Sequence, residues 1–486
     1  MSIYLTNSLT RKKEEFIPNE KGKVGIYSCG PTVYWNQHIG HMYAYVQWDI
    51  LVRFLRFVGN DVKWVMNVTD VGHMTSDEDF GEDKMEKGAK REGLTVWQIA
   101  DKYIEQFKDS MGLLGINAPD VLCRATENIP EQIKLNQIIE KNGFTYTTEK
   151  GLIYDTSKFP DYAKFGNLNL ADMKSRSDVE VDPEKKLPWD FFLWAINSKH
   201  IMKWPSPWGE GYPGWHIECT AMSTKYLGNN FDIHTGGIEH VAVHHTNEIA
   251  QGFAAFGKQT ANYWLHNSHL LGEGGIKMSK SLGNFVTAQE LVEKGHDPLA
   301  MRYLILNSHY RKGTSFSWEV LKAAENALNN LKDLIASLRN SDDRTILSEE
   351  KNEKVAEFRD SFISALSDDI NVPQALAVLW EMLKSNIPSA DKYDLAISFD
   401  EVLGLGIKDH KVEVMVKDNL QGVPFLHLPT VSVGNATIVR IGERNVARDS
   451  GNYQRADEIR KEIEEKDKFY IKDTSAGTIV EPIENK

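Results

Sequence analysis

Residues 23–68 read KVGIYSCGPTVYWNQHIGHMYAYVQWDILVRFLRFVGNDVKWVMNV, and the changes of period along them decide the fold. KVGIYSC is a short strand closed by the Gly30-Pro31 break. From Met42 to Val58 the apolar residues Val46, Ile50, Leu51, Phe54, Leu55 and Val58 fall at helical spacing, and Gly59-Asn60 stops the run. Val62, Trp64, Met66 and Val68 then alternate with a period of two, as in a strand. Strand, helix and strand at this length make a βαβ unit, which demands a parallel sheet. Ligands of such sheets bind beyond the carboxyl ends of the strands, so the loop from Ser28 to His41 is where chemistry is expected.

Outward from this unit the chain is that of an ordinary globular protein. Of 486 residues, 41% are hydrophobic and 26% charged, which excludes collagen-like, low-complexity and disordered classes. Lys and Arg number 56 against 69 Asp and Glu, and the net charge of −13 excludes a uniformly basic coat while leaving room for a local basic patch. Met1 to Phe16 carries no apolar segment of the kind that makes a secretory signal, and no run of 18 uncharged apolar residues exists to span a membrane. Three scattered cysteines, Cys29, Cys123 and Cys219, make no disulfide framework. A reducing, cytoplasmic setting is therefore expected.

Helical patterning resumes over Thr95–Leu113 and Glu131–Asn142, and a Trp- and Pro-rich stretch fills Pro188–Trp215. After Asn284 come amphipathic helices at Pro298–Leu306, Trp318–Leu338, Lys351–Leu366 and Pro373–Lys384. A breaker-rich segment, Leu405–Asn435, separates a last charged helix near Tyr453–Lys466, and the apolar stretch Val412–Val433 within it has no evident role.

Two motifs carry chemistry. His38-Ile39-Gly40-His41 opens the first helix, whose N-terminus offers free N–H groups and a positive dipole end to phosphate. Lys277-Met278-Ser279-Lys280-Ser281 lies in a glycine-rich loop, GEGGIKMSKSLGN, and two lysines there can close over a triphosphate. Metal-ligand chemistry is also present. His244 and Glu248 stand at i and i+4 on one helix face, Cys219 lies in a helical-looking segment, and Cys29 follows the first strand. Thiolate, imidazole and carboxylate together favour zinc, although spacing alone leaves His234 and His245 as competing ligands.

HIGH after the first strand and KMSKS after the sheet resemble the class I aminoacyl-tRNA synthetases. YSCGPTVYWNQHIGH, GWHIECTAMS, FDIHTGG, HHTNEIAQ and KMSKSLGN are similar, more narrowly, to the cysteinyl-tRNA synthetase family. The similarity continues through CRATENI, HYRKG, SDDINVPQAL and RNVARDSGNYQRADEIRKEIEEKD, and so covers nearly the whole chain. It implies an α/β fold: a Rossmann-like parallel-sheet catalytic domain with an insertion, then an α-helical bundle and a small C-terminal domain. The expected divisions are 1–120 and 211–295 for the two catalytic halves and 121–210 for the insertion. A stem-contacting helical domain follows at 296–404 and an anticodon-binding domain at 405–486.

The resemblance further implies activation of L-cysteine by ATP with Mg²⁺ and transfer to tRNA(Cys), by a chain expected to be monomeric. It selects Cys29, Cys219, His244 and Glu248 as ligands of one zinc that recognises the substrate thiol. It makes His38, His41, Lys277 and Lys280 catalytic. ATP would be held by Pro31, Thr32, His38, Gly40, His41, Lys277, Met278, Ser279, Lys280 and Ser281, and cysteine by Thr69, Trp215 and His234. Departures are few. Glu239 and Thr246 replace other residues of the family's pattern, Ile479 stands where an aromatic is common, and Gly72 to Glu82 interrupts the usual run before Asp83-Lys84.

Overall fold

The computed structural model describes residues 2–72, 83–168, 183–197, 199–276, 278, 285–339, 347–410, 416–420, 423–427, 433–474 and 477–483. The chain divides into two compact units, Met1–Asp409 and His410–Lys486.

In the first unit a hairpin of β1 (Tyr4–Asn7) and β2 (Lys12–Glu15) precedes β3 (Lys23–Ser28), α1 (Ile39–Phe57) and β4 (Asp61–Val68). Next come α2 (Lys84–Glu92), α3 (Val96–Leu113), β5 (Val121–Arg124) and α4 (Ile129–Lys141). Strands β6 (Thr145–Thr148), β7 (Gly151–Tyr154), β8 (Phe191–Ala195) and β9 (Tyr212–Pro213) form a separate antiparallel sheet. They lead to α5 (Trp215–Leu227), β10 (Phe231–Gly237), α6 (His244–Phe256) and β11 (Ala261–Asn267).

The main sheet is parallel throughout, in the order β11-β10-β3-β4-β5. Its first strand in sequence, β3, is central, and the order reverses between β3 and β10, where Ile26 pairs with Ile233 and Ser28 with Thr235. That reversal is the switch point at which a doubly wound sheet opens a crevice. Both faces are covered. Ile26, Trp64, Met66, Ile233 and Leu265 pack on one side with α1, while Tyr27, Val65, Cys123, Phe231 and Trp264 pack on the other with Ile217 of α5 and Ile249 of α6. The alternation in Val62–Val68 thus marks two buried faces rather than one, as expected of a parallel sheet with helices on each side. Val121–Arg124, assigned from sequence to the insertion, is instead the edge strand β5, paired with β4 from Val65–Val121 to Val68–Arg124. Four residues carry too little periodicity to reveal this.

The helical part comprises α7 (Ala288–Glu293), α8 (Pro298–Leu306), α9 (Trp318–Ser337), α10 (Glu349–Ser367), α11 (Val372–Lys384) and α12 (Ser389–Leu403). Side-chain caps start several of these helices: Asp297 on α8, Ser317 on α9, Ser348 on α10 and Asn371 on α11. The sequence reading passes over α12, whose acidic residues dilute the apolar stripe of Leu395, Phe399 and Val402; Phe399 nonetheless stacks on Phe362 at 3.9 Å. A polar knot ties the helices to α1. Asp49 accepts from Arg53 at 2.7 Å, from Arg302 at 2.6 Å and from the Asn117 amide at 3.0 Å. Arg302 is fully buried and also donates to the carbonyls of Leu403, Leu114 and Gly115.

The second unit holds β12 (Val416–Leu420), β13 (Val423–His427), α13 (Asn435–Asp449), α14 (Tyr453–Glu462), β14 (Phe469–Thr474) and β15 (Gly477–Pro482), with sheet order β12-β13-β15-β14. Ile438, Ile441, Ile459, Ile463, Ile471 and Val480 form its core. Part of the apolar stretch without evident role, Val412–Val433, is therefore the β12–β13 hairpin, and α13 is a further helix absent from the sequence reading. No helix among the described residues is long and apolar enough to cross a membrane.

Candidate active site

The crevice at the switch point gathers residues from the ends of β3, β4 and β10 and from the starts of α1, α5 and α6. Cys29 leaves β3 with its amide on the Thr235 carbonyl at 3.2 Å. The next amide, Gly30 N–H, donates to Asn67 Oδ1 at 2.8 Å. A Cβ at position 30 would fall 1.6 Å from the Asn67 carbonyl oxygen, so only glycine lets the loop approach β4 this closely. Pro31 and Thr32 then run beside Thr69, whose amide donates to the Pro31 carbonyl at 3.0 Å.

Cys29, Cys219, His244 and Glu248 come together, with one donor atom from each lying within 4.8 Å of the others and all four residues buried. Cys29 Sγ is 3.9 Å from Cys219 Sγ and 3.9 Å from Glu248 Oε1, and His244 Nε2 is 3.2 Å from Glu248 Oε1. Two sulfurs each about 2.3 Å from one tetrahedral ion would stand roughly 3.7–3.8 Å apart, so the donor set fits a zinc-type cation. A second grouping, Cys29, His234, His245 and Glu248, is equally compact. It offers one thiol instead of two and is the poorer match to zinc's preference for sulfur.

His234 and His245 lie directly against the first set. His234 donates from Nε2 to Glu248 Oε2 at 2.9 Å and lies flat on Trp264, ring centroids 4.4 Å apart. His245 Nε2 is 3.3 Å from Cys29 Sγ; its Nδ1 is 2.7 Å from His266 Nε2, and His266 Nδ1 is 2.8 Å from Ser8 Oγ. Burial lowers the pKa of both His245 and His266 well below the ordinary imidazole value, so both are neutral. With each ring neutral, these groups form one continuous hydrogen-bonded chain from Ser8 through His266 and His245 to the Cys29 sulfur. Burial also pushes the Cys29 thiol far up, with Cys219 and Glu248 adding to the effect. Without a cation this thiol stays protonated. His266, Ser8 and the His216 ring, whose Nδ1 is 2.9 Å from His244 Nδ1, escape the sequence reading because only the fold brings them here.

Of the amino-acid pocket residues expected from sequence, Thr69 is buried and donates to Glu218 Oε2 at 3.0 Å. Burial holds the Glu218 carboxyl well above the usual carboxylate range. Trp215 is half-buried at the start of α5, and its ring lies 4.9 Å from that of His244.

The HIGH segment opens α1 with no acidic residue in the first turn and no side-chain cap, which leaves the helix dipole available to an anion. His38 and His41 stack at 3.7 Å. A Cβ on Gly40 would lie 2.7 Å from the His38 ring, so the glycine makes room for that stack. Ile39 N–H donates to the Val286 carbonyl at 2.7 Å and His38 bridges to Thr287, which brings the chain just after KMSKS onto the HIGH helix. Met278 is buried in the same core as Ile39 and Met42. Lys277, Ser279, Lys280 and Ser281 lie outside the described residues.

Sheet order, switch-point crevice and HIGH helix are together the architecture of a class I tRNA synthetase. The chain matches the family described as tRNA synthetases class I (C) catalytic domain over residues 15–326, and a DALR domain over 361–386. It is 44% identical over 484 residues to a cysteine–tRNA ligase of Treponema denticola, covering 95% of this chain and 96% of that one. It is 41% identical over 481 residues to cysteine–tRNA ligase 1 of Burkholderia lata, with 98% and 96% covered. The chain belongs to the cysteine–tRNA ligase family. In fold it is similar to the Mycobacterium tuberculosis methionyl-tRNA synthetase in complex with methionyl-adenylate, with a TM-score of 0.55 at 14% identity, covering 79% of this chain and 90% of that one.

Proposed function

We propose that this chain is a cysteine–tRNA ligase that joins L-cysteine to ATP as cysteinyl-adenylate, releases pyrophosphate, and passes the cysteinyl group to the terminal adenosine of tRNA(Cys). The observation that carries this reading is the buried meeting of Cys29, Cys219, His244 and Glu248 at the switch point of the sheet. No phosphate chemistry requires such a set, whereas selection of a thiol does.

Cys29, Cys219, His244 and Glu248 would hold zinc, and the chemistry it supplies is a strong preference for thiolate sulfur over hydroxyl oxygen. An apolar pocket alone separates near-isosteres by only about 1–3 kcal/mol. Thr69 and Trp215 line the amino-acid side of the crevice, and His234 fixes Glu248 from behind. The attack of the cysteine carboxylate on the α-phosphate is in-line phosphoryl chemistry, which needs positioning and charge neutralisation more than a protein nucleophile. His38, His41 and the start of α1 receive the phosphates, alongside the backbone of Pro31 and Thr32. Lys277 and Lys280 neutralise the departing pyrophosphate, with Mg²⁺ arriving on the nucleotide. By family likeness the helices after about Asp297 contact the tRNA stem and the C-terminal unit the anticodon, in a cytoplasmic monomer.

The test is transfer of radiolabelled cysteine, with ATP and Mg²⁺, into acid-precipitable tRNA. Charging that serine does not support and that zinc removal abolishes is the expected result. Cysteine-dependent pyrophosphate exchange without charging would mean a different acceptor, and absence of both activities would overturn the reading. Lys280→Ala should cut adenylate formation by orders of magnitude with zinc content unchanged.

A further inference from the structure

The Asp83-Lys84 pair stands just beyond positions 72–82, the interruption in the family's pattern. Something must hold that pair where the pocket needs it. The residue that does so comes from the Trp- and Pro-rich stretch after β8. His200 is buried, with Nδ1 2.8 Å from the Met202 carbonyl and Nε2 2.8 Å from Asp83 Oδ2 and 3.3 Å from the Gly72 carbonyl. With Asp83 ionised all three partners are acceptors, and a protonated ring donates to them from both nitrogens. It lies flat on Tyr212, centroids 3.9 Å apart. Asp83 is fixed from its other oxygen too, because Oδ1 accepts the Glu86 amide at 2.7 Å and so caps α2. Glu86 in turn accepts the Ile201 amide at 2.8 Å. A Cβ on Gly72 would fall 1.9 Å from Asp83 Oδ2, so this approach requires glycine there.

The next residue carries the consequence. Lys84, in the first turn of α2, sets its ammonium 5.1 Å from the centroid of the Trp215 ring, and Trp215 packs on His244. A cation over an indole face is attracted by the ring's quadrupole and fixes the plane of the ring. We propose that His200 is a positioning residue for the amino-acid pocket: it clamps Gly72 and Asp83 and thereby seats Lys84 on Trp215. The inference rests on the cysteine-binding role given above to Trp215.

The charged and titratable groups facing His200 are Asp83, Glu86 and the Tyr212 phenol. Burial alone would pull its pKa down, but the Asp83 hydrogen bond and charge, the Met202 carbonyl and Glu86 outweigh it and raise the pKa above the ordinary imidazole value. The clamp is therefore closed below that raised pKa and loosens as pH rises through it, when one ring nitrogen loses its proton and faces an acceptor.

The experiment is cysteine-dependent ATP–pyrophosphate exchange by the full metal-loaded chain, with His200→Gln and Lys84→Met made singly and together. Each single variant should raise KM for cysteine roughly three- to tenfold, with KM for ATP and kcat held within about twofold. The double variant should be no worse than the weaker single, because both remove one contact chain. In the parent protein KM for cysteine should climb at alkaline pH, and that climb should vanish in His200→Gln. Multiplicative single effects, or an equal rise in KM for ATP, would overturn the proposal while leaving the enzyme a cysteine–tRNA ligase. Loss of a metal equivalent in His200→Gln would overturn it in favour of a cation among Asp83, Glu86 and His200. No cysteine activation by the parent protein would sink the reading of the pocket itself. Should His200→Gln not fold, Asp83→Asn, which keeps a cap oxygen for α2, must show the same rise in KM for cysteine.

Discussion

The Asp49–Arg302 knot and the Cys29–Glu248 cluster are both buried and both polar, yet they obey opposite rules. In the knot, donors meet acceptors: two guanidinium groups and an amide converge on one carboxylate, and the remaining Arg302 donors reach backbone carbonyls. Such a network is complete and has nothing left to bind. In the cluster, two thiols, an imidazole and a carboxylate converge, and all are groups with lone pairs to share. Once ionised, the two thiolates and the carboxylate repel one another, and a cation among them relieves that repulsion. Burial of polar groups therefore says little about function until the sign and kind of the partners are read.

The largest break should come at the cluster. Cys219→Ala is expected to abolish stoichiometric zinc, weakening binding beyond the roughly 10–100-fold that loss of a supporting partner produces. The metal-free variant should unfold in urea within about 1 kcal/mol of the metal-free parent. Metal analysis beside a denaturation curve checks both, and unfolding of the metal-free variant would erase the contrast. Arg302→Met should do the reverse. Stripping one partner from a buried ion pair leaves Asp49 partly uncompensated and lowers stability on the order of 3–5 kcal/mol, with zinc affinity unchanged in whatever fraction stays folded.

A finer test is His266→Ala, which cuts the Ser8–His266–His245 chain without touching a ligand. Zinc affinity measured against a competing chelator should fall about 10–100-fold. The last test is one of pH. Burial holds the Cys29 thiol protonated, so binding a metal must release that proton. Zinc affinity should therefore rise with pH, by up to about tenfold per unit for each thiol proton displaced. The metal-free fold should respond oppositely. A thiol whose folded pKa is raised contributes fully below the ordinary thiol range, and its contribution is lost as pH climbs through and above that range. Flat zinc affinity between pH 6 and 8 would mean that the thiols are already ionised in the metal-free fold.

Much of this was legible in advance. The strand, helix and strand of residues 23–68 fall within a few residues of their expected limits, because period and stop signals act locally. Pro298–Leu306 matches its helix end to end for the same reason, with Asp297 as cap and Pro298 at the first position. Val121–Arg124 and α12 were missed, since a four-residue edge strand and a diluted apolar stripe are defined by their neighbours rather than by themselves. Spacing also left His234, His244 and His245 as rivals for one ligand position. The fold brings all three to the cluster from different directions: His244 turns Nε2 toward Glu248 Oε1, His234 meets the other oxygen from the Trp264 side, and His245 reaches the Cys29 sulfur.

What the sequence determined by itself was the kind of chemistry, because HIGH, KMSKS and the Cys, His and Glu residues are covalent facts that no packing alters. What only the tertiary structure decided was company. Cys29 and Cys219 are 190 residues apart in the chain and 3.9 Å apart in space, and His200 meets Asp83 across 117 residues at 2.8 Å. Contacts of that range are set by how the sheet orders its strands and how the insertion folds back, and no local period or propensity encodes either.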